Sequence, residues 1–265
     1  MDKDRKPWYD AWRNRADYAD TLFKRATGQL PEMECSKAVA NILTSHVRTG
    51  DKILDVGCGA GHYLRSLRKT LKVPFSYTGA DRTEQFLEAA RKAWFDTPDT
   101  AFRHADIYNL PFADNEFDVV ISNDLLYHLP SVVKPLSELI RVAKRFIMVR
   151  TLIGERSFRV QEVYSSKFWP GAEDVDPGDE FTDDGVPRSF VHLNIYSKDY
   201  FTAVIRRRLP EAPIEYVKDN FFDPNAIERS VSEWQNPNPT RILGGNQVIG
   251  YIIVPYHFVK IHKND

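Results

Sequence analysis

Cysteine is almost missing from this chain: 265 residues contain two, Cys35 and Cys58. Two cysteines make neither a disulfide framework nor a cysteine-based zinc site. An excess of either charge is missing too, with 36 Lys+Arg against 37 Asp+Glu and a formal net charge of −1. Broad binding to nucleic acid or to a membrane surface needs a positive field, which this composition does not supply. No apolar run reaches the roughly 20 residues of a membrane span. The opening MDKDRKPWYD is charged and aromatic, without the apolar centre of a signal peptide, so a cytoplasmic protein is expected. There is no internal repeat and no low-complexity tract, and the seven histidines show no metal-ligating spacing, so no metal is expected. What is present is 42% hydrophobic and 12% aromatic residues, enough to collapse a nearly neutral chain around a core.

Short β-branched runs alternate with amphipathic stretches. Residues 52–56, 76–80, 101–105, 117–122 and 146–149 read as strands, and 34–47, 61–71, 83–95, 131–142 and 197–209 read as helices. That alternation predicts an α/β protein: a Rossmann-like, doubly wound sheet, mostly parallel, with helices on both faces. Near the end, 214–217 and 247–256 read as a terminal antiparallel pair, with Pro255 fitting only an edge or a strand end. Two segments break the pattern. Residues 1–33 carry Trp8, Tyr9, Trp12, Tyr18 and Phe23, and residues 154–196 carry Phe158, Tyr164, Phe168, Trp169 and Phe190 around an acidic loop. An irregular insertion that long is usually functional or mobile. The acidic residues between Glu173 and Asp184 read first as a solvated loop, and more sharply as a lid that attracts a cationic substrate.

The most informative stretch places Asp55 two residues before Gly57, Cys58, Gly59, Ala60 and Gly61, between a strand and a helix. Glycines permit a left-handed turn and close approach of a ligand, and the following helix offers free N–H groups. A dinucleotide site also uses such a loop, but its third glycine comes later than Gly61. Asp81 ends the second strand, where a carboxylate can accept both hydroxyls of a ribose. Asp106 ends the third, where it can accept an adenine amine. All three acids sit at C-terminal strand ends, the ligand edge of an open α/β sheet.

These features, written KILDVGCGAGHYL, YTGADRTEQFLEAAR and HADIYNLPFADNEFDVVISNDLLYHL, resemble the class I S-adenosylmethionine-dependent methyltransferases. The nearest group is the small-molecule type that includes quinone-biosynthesis enzymes. The resemblance covers about residues 34–152 and extends weakly to the C-terminal strand pair. It implies S-adenosylmethionine as cofactor, with Gly57, Cys58 and Gly59 along its methionine part and Asp55 holding its ammonium. Asp81 would bind the ribose with Arg82 beside the adenine; Asp106 and Ile107 would hold the adenine; Asn123 would offer its carbonyl to the ammonium. It further implies one domain over 1–265: an N-terminal helical cap (1–33), a cofactor-binding core (34–152), a substrate-side insertion after the fifth strand (153–196), and a C-terminal helix and strand pair (197–265).

The expected reaction is methyl transfer to a small-molecule acceptor at oxygen, nitrogen or carbon, with no nucleic-acid or membrane partner. His128 is the first candidate for a general base, since its side chain titrates near neutrality; His192 and Tyr196 are weaker ones. Cys58, flanked by glycines, is expected to pack under the loop rather than react. Three other readings remain: a nicotinamide-dependent oxidoreductase, a methyltransferase-fold binding module without catalysis, and a nucleic-acid methyltransferase.

Overall fold

Residues 51–56, DKILDV, are buried at every position but one and form strand β1 (Asp51–Val56) at the centre of the molecule. The structure is a computed structural model that describes residues 16–163, 181–187, 190–222, 240–249 and 252–263. The aromatic residues Trp8, Tyr9 and Trp12, and the acidic run from Glu173 to Glu180, lie outside the described residues. Strands β2 (Phe75–Asp81), β3 (Thr100–His104), β4 (Phe117–Asn123) and β5 (Ala143–Gly154) lie parallel to β1. The principal sheet continues with β13 (Tyr256–His262) and β9 (Ile214–Lys218) in the order β3-β2-β1-β4-β5-β13-β9, and β8 (Tyr196–Ser197) pairs with the end of β5. β13 runs antiparallel to both its neighbours, so the sheet is mostly parallel with one reversed strand.

Helices α2 (Glu34–Leu43) and α3 (His62–Thr70) cover one face, over a core that includes Ile53, Tyr77, Ile121, Met148 and Phe258. The opposite core joins Leu54, Val120 and Ile147 to α5 (Val133–Val142) and α6 (Lys198–Arg206). Ser197 caps α6 by accepting from the Tyr200 amide, as its position before an amphipathic run predicts. Helix α1 (Ala16–Thr27) packs on α3 and on α4 (Glu84–Ala93), and Arg65 of α3 donates to the carbonyls of Arg25 and Leu30 at its C-terminal end. Among the described residues no helix is long and apolar enough to cross a membrane.

Two differences from the sequence pattern share one cause. β5 has 12 residues, where the apolar run FIMV predicts four. Arg145 and Arg150 bound that run on either side, yet both are neutralised in place, Arg145 by Asp51 at 2.6 Å and Arg150 by Asp124 and Asp219. At the C-terminus, β9 pairs with Tyr256–His262 and not with 247–256. β13 contains His257, Lys260 and His262, which hide it as a strand, and Lys260 is paired with Glu215 across the register. Residues 246–253 instead supply β11 (Asn246–Ile249) and β12 (Ile252–Ile253), which with β10 (Thr240–Leu243) form a separate three-stranded sheet. Pro255 falls just before β13, where no ladder hydrogen bond is lost.

Candidate active site

β1 and β4 are neighbours while their following helices lie on opposite faces, so the sheet reverses its winding between them. The crevice outside the C-terminal ends of two such strands is where an open α/β sheet binds ligands. Asp55, Gly57, Cys58 and Gly59 lie on one side of it and Asn123 on the other. Asp81 and Asp106 follow at the ends of the next two strands, β2 and β3.

The glycine turn is left-handed at Gly57, Gly59 and Gly61, with φ of 82°, 54° and 70°. An added Cβ at Gly59 would stand 2.7 Å from Leu22 of α1, and one at Gly57 would stand 2.9 Å from Leu125. The turn is therefore pressed between the helical cap and the segment after β4. Cys58 is buried, and its sulfur lies against Gly79, where a Cβ would come within 2.8 Å of it. Its thiol packs into the sheet, and burial pushes its pKa well up, which leaves it protonated and unreactive.

Asp81 is tied to the turn. Its Oδ2 accepts the Gly59 amide at 2.9 Å and its Oδ1 accepts the Thr83 amide at 2.8 Å. Burial raises its pKa despite those backbone donors. Asp55 lies deeper and accepts from the Tyr77 hydroxyl at 2.7 Å. Burial pushes its carboxyl up to about 7, and the nearby Asp81 charge adds to that, against the opposing Tyr77 hydrogen bond. Asp106 accepts the Tyr108 amide at 3.0 Å, the buried Ile107 lies beside it, and Arg82 follows Asp81 half-buried.

Asn123 is buried at the tip of β4, and neither its Nδ2 nor its Oδ1 has a hydrogen-bond partner. Such an amide costs free energy in the bare fold and is a recognised mark of a ligand position. His62, the first residue of α3, has a buried Nδ1 in the same condition, 3.6 Å from where a Gly59 Cβ would stand.

Beyond β4 a 3-10 turn, Leu126–His128, carries the candidate base. His128 Nδ1 lies 2.8 Å from the His192 carbonyl oxygen. A carbonyl only accepts, so Nδ1 carries the proton and Nε2 does not. Burial pulls the His128 pKa down to about 4, so the ring is neutral at pH 7. His192 lies on β7 (Phe190–His192), which pairs with β6 (Gln161–Val163). Asn194 donates its amide N–H to Tyr127 and its Nδ2 to Leu129, while the Tyr196 hydroxyl also faces Leu129. The described part of the insertion is thus clamped onto the turn after β4.

Sequence reasoning missed Tyr77, His62, Leu22 and Arg150. Only the period-2 placement of Tyr77 in β2, four residues before Asp81, carried a signal. The others are brought in by α1, by the helix start and by β5.

Residues 54–146 match a family described as a methyltransferase domain. The demethylmenaquinone methyltransferase of Staphylococcus saprophyticus is 37% identical over 99 residues, which are 37% of this chain and 42% of that protein. The match thus spans about two fifths of the length of that curated relative. Across nearly the whole chain the fold is similar to a chain of the Haloferax volcanii complex between the Trm112 methyltransferase activator and a methyltransferase, with a TM-score of 0.56, 18% identity and coverage of 97% of this chain and 96% of that one. The cyclase SpnF shares it with a TM-score of 0.54 and 16% identity over 86% of this chain and 81% of its own. A fold common to a methyltransferase and a cyclase leaves the chemistry to the site. The similarity to a methyltransferase domain thus lies in residues 54–146, the segment that holds the glycine turn and the strand-end acids Asp55, Asp81 and Asp106.

Proposed function

We propose that this chain is a methyltransferase that binds S-adenosylmethionine in the crevice between β1 and β4 and methylates a small molecule of the quinone class. The observation that carries this reading is Asp81. It is fixed at the end of β2 by the Gly59 and Thr83 amides, and the Arg82 amide and the Thr83 hydroxyl also bond to its carboxylate. A carboxylate preset in this way at a strand end beside the crevice is where the hydroxyls of a ribose would be accepted. The unpartnered amide of Asn123 and the unpartnered Nδ1 of His62 give donor and acceptor atoms for the charged amino-acid end of such a ligand. The residues present therefore fit an adenosyl amino acid.

In this reading Gly57, Cys58 and Gly59 contribute backbone along the methionine chain and Asp55 supplies negative charge beneath the ammonium. Asp106, Ile107 and Arg82 surround the adenine. The bound sulfonium supplies a methyl group already activated by positive charge. The protein's own task is then alignment, which is worth roughly 7–11 kcal/mol of a barrier. His128, neutral with Nε2 unprotonated, takes a proton from the acceptor. A base with a pKa near 4 suits a proton that becomes acidic as the methyl group arrives. Residues 1–33, including α1, act as a cap, 34–152 as the cofactor core, 153–196 as the acceptor-side insertion and 197–265 as the closing helix and strands. Balanced charge favours a small acceptor over nucleic acid, and a cytoplasmic site of action goes with the same proposal. The quinone class is proposed because the S. saprophyticus relative is named for demethylmenaquinone.

Calorimetric titration with S-adenosylmethionine and S-adenosylhomocysteine tests the reading. Micromolar binding of both, lost in Asp81→Ala, is expected. Absence of binding at millimolar ligand sinks it, and binding of a nicotinamide dinucleotide instead would favour the oxidoreductase.

A further inference from the structure

Arg150 is buried on β5, directly behind the tip of β4, and its guanidinium joins the turn after β4 to the loop after β9 and to β11. Nη1 donates to Asp124 Oδ1. Nε donates to Asp219 Oδ2 at 2.7 Å, in the loop after β9. Nη2 reaches Gln247 Oε1 of β11 at 3.4 Å. The guanidinium carbon lies 3.7 Å above the ring of Tyr256. Gln247 in turn donates to the Asp219 carbonyl at 2.9 Å. The other oxygen of Asp124 accepts from Tyr63 of α3 at 3.0 Å, two residues beyond Gly61.

Three features argue for a role beyond holding the fold. A buried arginine between two carboxylates contributes little net stability compared with apolar packing. Asp124 is a non-glycine residue in the left-handed region, φ 58°, and such backbone persists where the surroundings impose it and where function uses it. Asp124 also directly follows Asn123, whose buried side-chain amide has no partner at the tip of β4. The left-handed bend sets where that amide sits, and the bend is pinned on the donor side by Tyr63 and from behind by Arg150.

We propose that Arg150 is a positioning residue that couples the β4 wall of the crevice to the small sheet β10–β12: through Asp124 it holds the turn after β4, and through Asp219 and Gln247 it ties that sheet to the turn. The small sheet then stiffens when a ligand orders the β4 tip, although none of its residues lies at the cofactor edge. The ligand arm of this inference rests on the proposed donor site.

The test is hydrogen exchange on the full chain, with Asp219→Asn and Arg150→Lys as variants and S-adenosylhomocysteine as probe. Lysine keeps the charge but cannot span both carboxylates. Without ligand, each variant is expected to speed exchange about tenfold both at Asp124 and at Asn246–Ile249, with β1 and β2 unchanged. Acceleration at one of these segments alone, or uniformly over the sheet, overturns the coupling and marks a merely structural pair. With ligand, the wild type is expected to gain protection at Asn246–Ile249, and Asp219→Asn to lose that gain while binding the probe within about threefold. Undiminished transmitted protection in Asp219→Asn also overturns it. If the wild type binds no probe, the donor reading falls, while the ligand-free exchange still decides the role of Arg150.

Discussion

The Tyr77 hydroxyl donates to the Asp55 carboxyl at 2.7 Å, one strand away and beneath the glycine turn. This contact places a carboxyl with a pKa of about 7 under a site expected to receive positive charge. Its stability effect has a definite sign. From the usual value of 3.8 up to about 7 the folded chain keeps a proton that the unfolded chain has lost. The contribution is full below pH 4 and disappears as pH rises through 7. Asp55→Asn removes that slope, so the variant is expected to gain on wild type by roughly 2–4 kcal/mol between pH 5 and pH 8 in urea unfolding. A difference that does not change with pH would count against the buried acid. Donor binding at pH 6 is also expected to release a proton from Asp55, measurable by calorimetry in buffers of different ionisation enthalpy.

Asn123 offers a separation of stability from binding. Replacing an unpartnered buried amide by leucine removes a desolvation penalty of about 1–3 kcal/mol. Asn123→Leu is therefore expected to raise the Tm and to weaken S-adenosylhomocysteine binding at least tenfold. A lower Tm together with unchanged binding would show that the amide is satisfied within the fold.

Gly59 is constrained twice, by φ of 54° and by Leu22, which would stand 2.7 Å from an added Cβ. Gly59→Ala is expected to cost about 2–3 kcal/mol, of which the left-handed backbone accounts for roughly 1–2. Combining it with Leu22→Ala relieves the clash but not the backbone. The double variant should be about 1 kcal/mol more stable than the sum of the single effects. Strict additivity would mean that α1 does not press on the turn.

Acid sensitivity should come from histidines kept neutral in the fold. Burial lowers His46, His62 and His128 to about 4, 3 and 4. Unfolded, all three take up protons below about 6.5. Their contribution is full above that value and is lost as pH falls toward 4. They outnumber the opposing Asp55, so stability is expected to fall from pH 6.5 to pH 4.5. His62→Gln should flatten that slope by about 1.4 kcal/mol per pH unit. An unchanged slope would show that His62 is protonated in the folded chain.

Much of the donor edge was legible because its signals are local. Left-handed glycines, an acid at each strand end and amphipathic helices between strands depend on neighbours a few positions away. The expected strands 52–56, 76–80 and 117–122 fall within one residue of β1, β2 and β4 at either end. The extents of β5 and β13 were not legible, because arginine, lysine and histidine within them read as breaks. Burial makes them strand residues only when Asp51, Asp219 or Glu215 arrives from elsewhere in the chain.

The amino-acid sequence by itself determined the winding of the sheet, the glycine turn and the strand-end acids Asp55, Asp81 and Asp106, since backbone conformation and hydrophobic period are properties of short segments. Only the tertiary structure decided that Tyr77 donates to Asp55, that Leu22 closes on Gly59, that His128 is kept neutral by burial while the His192 carbonyl fixes its tautomer, and that Arg150 joins Asp124 to Asp219. Those contacts link residues from 22 to 69 positions apart. Their strength depends on the exclusion of water, which exists only once the sheet and its helices have packed.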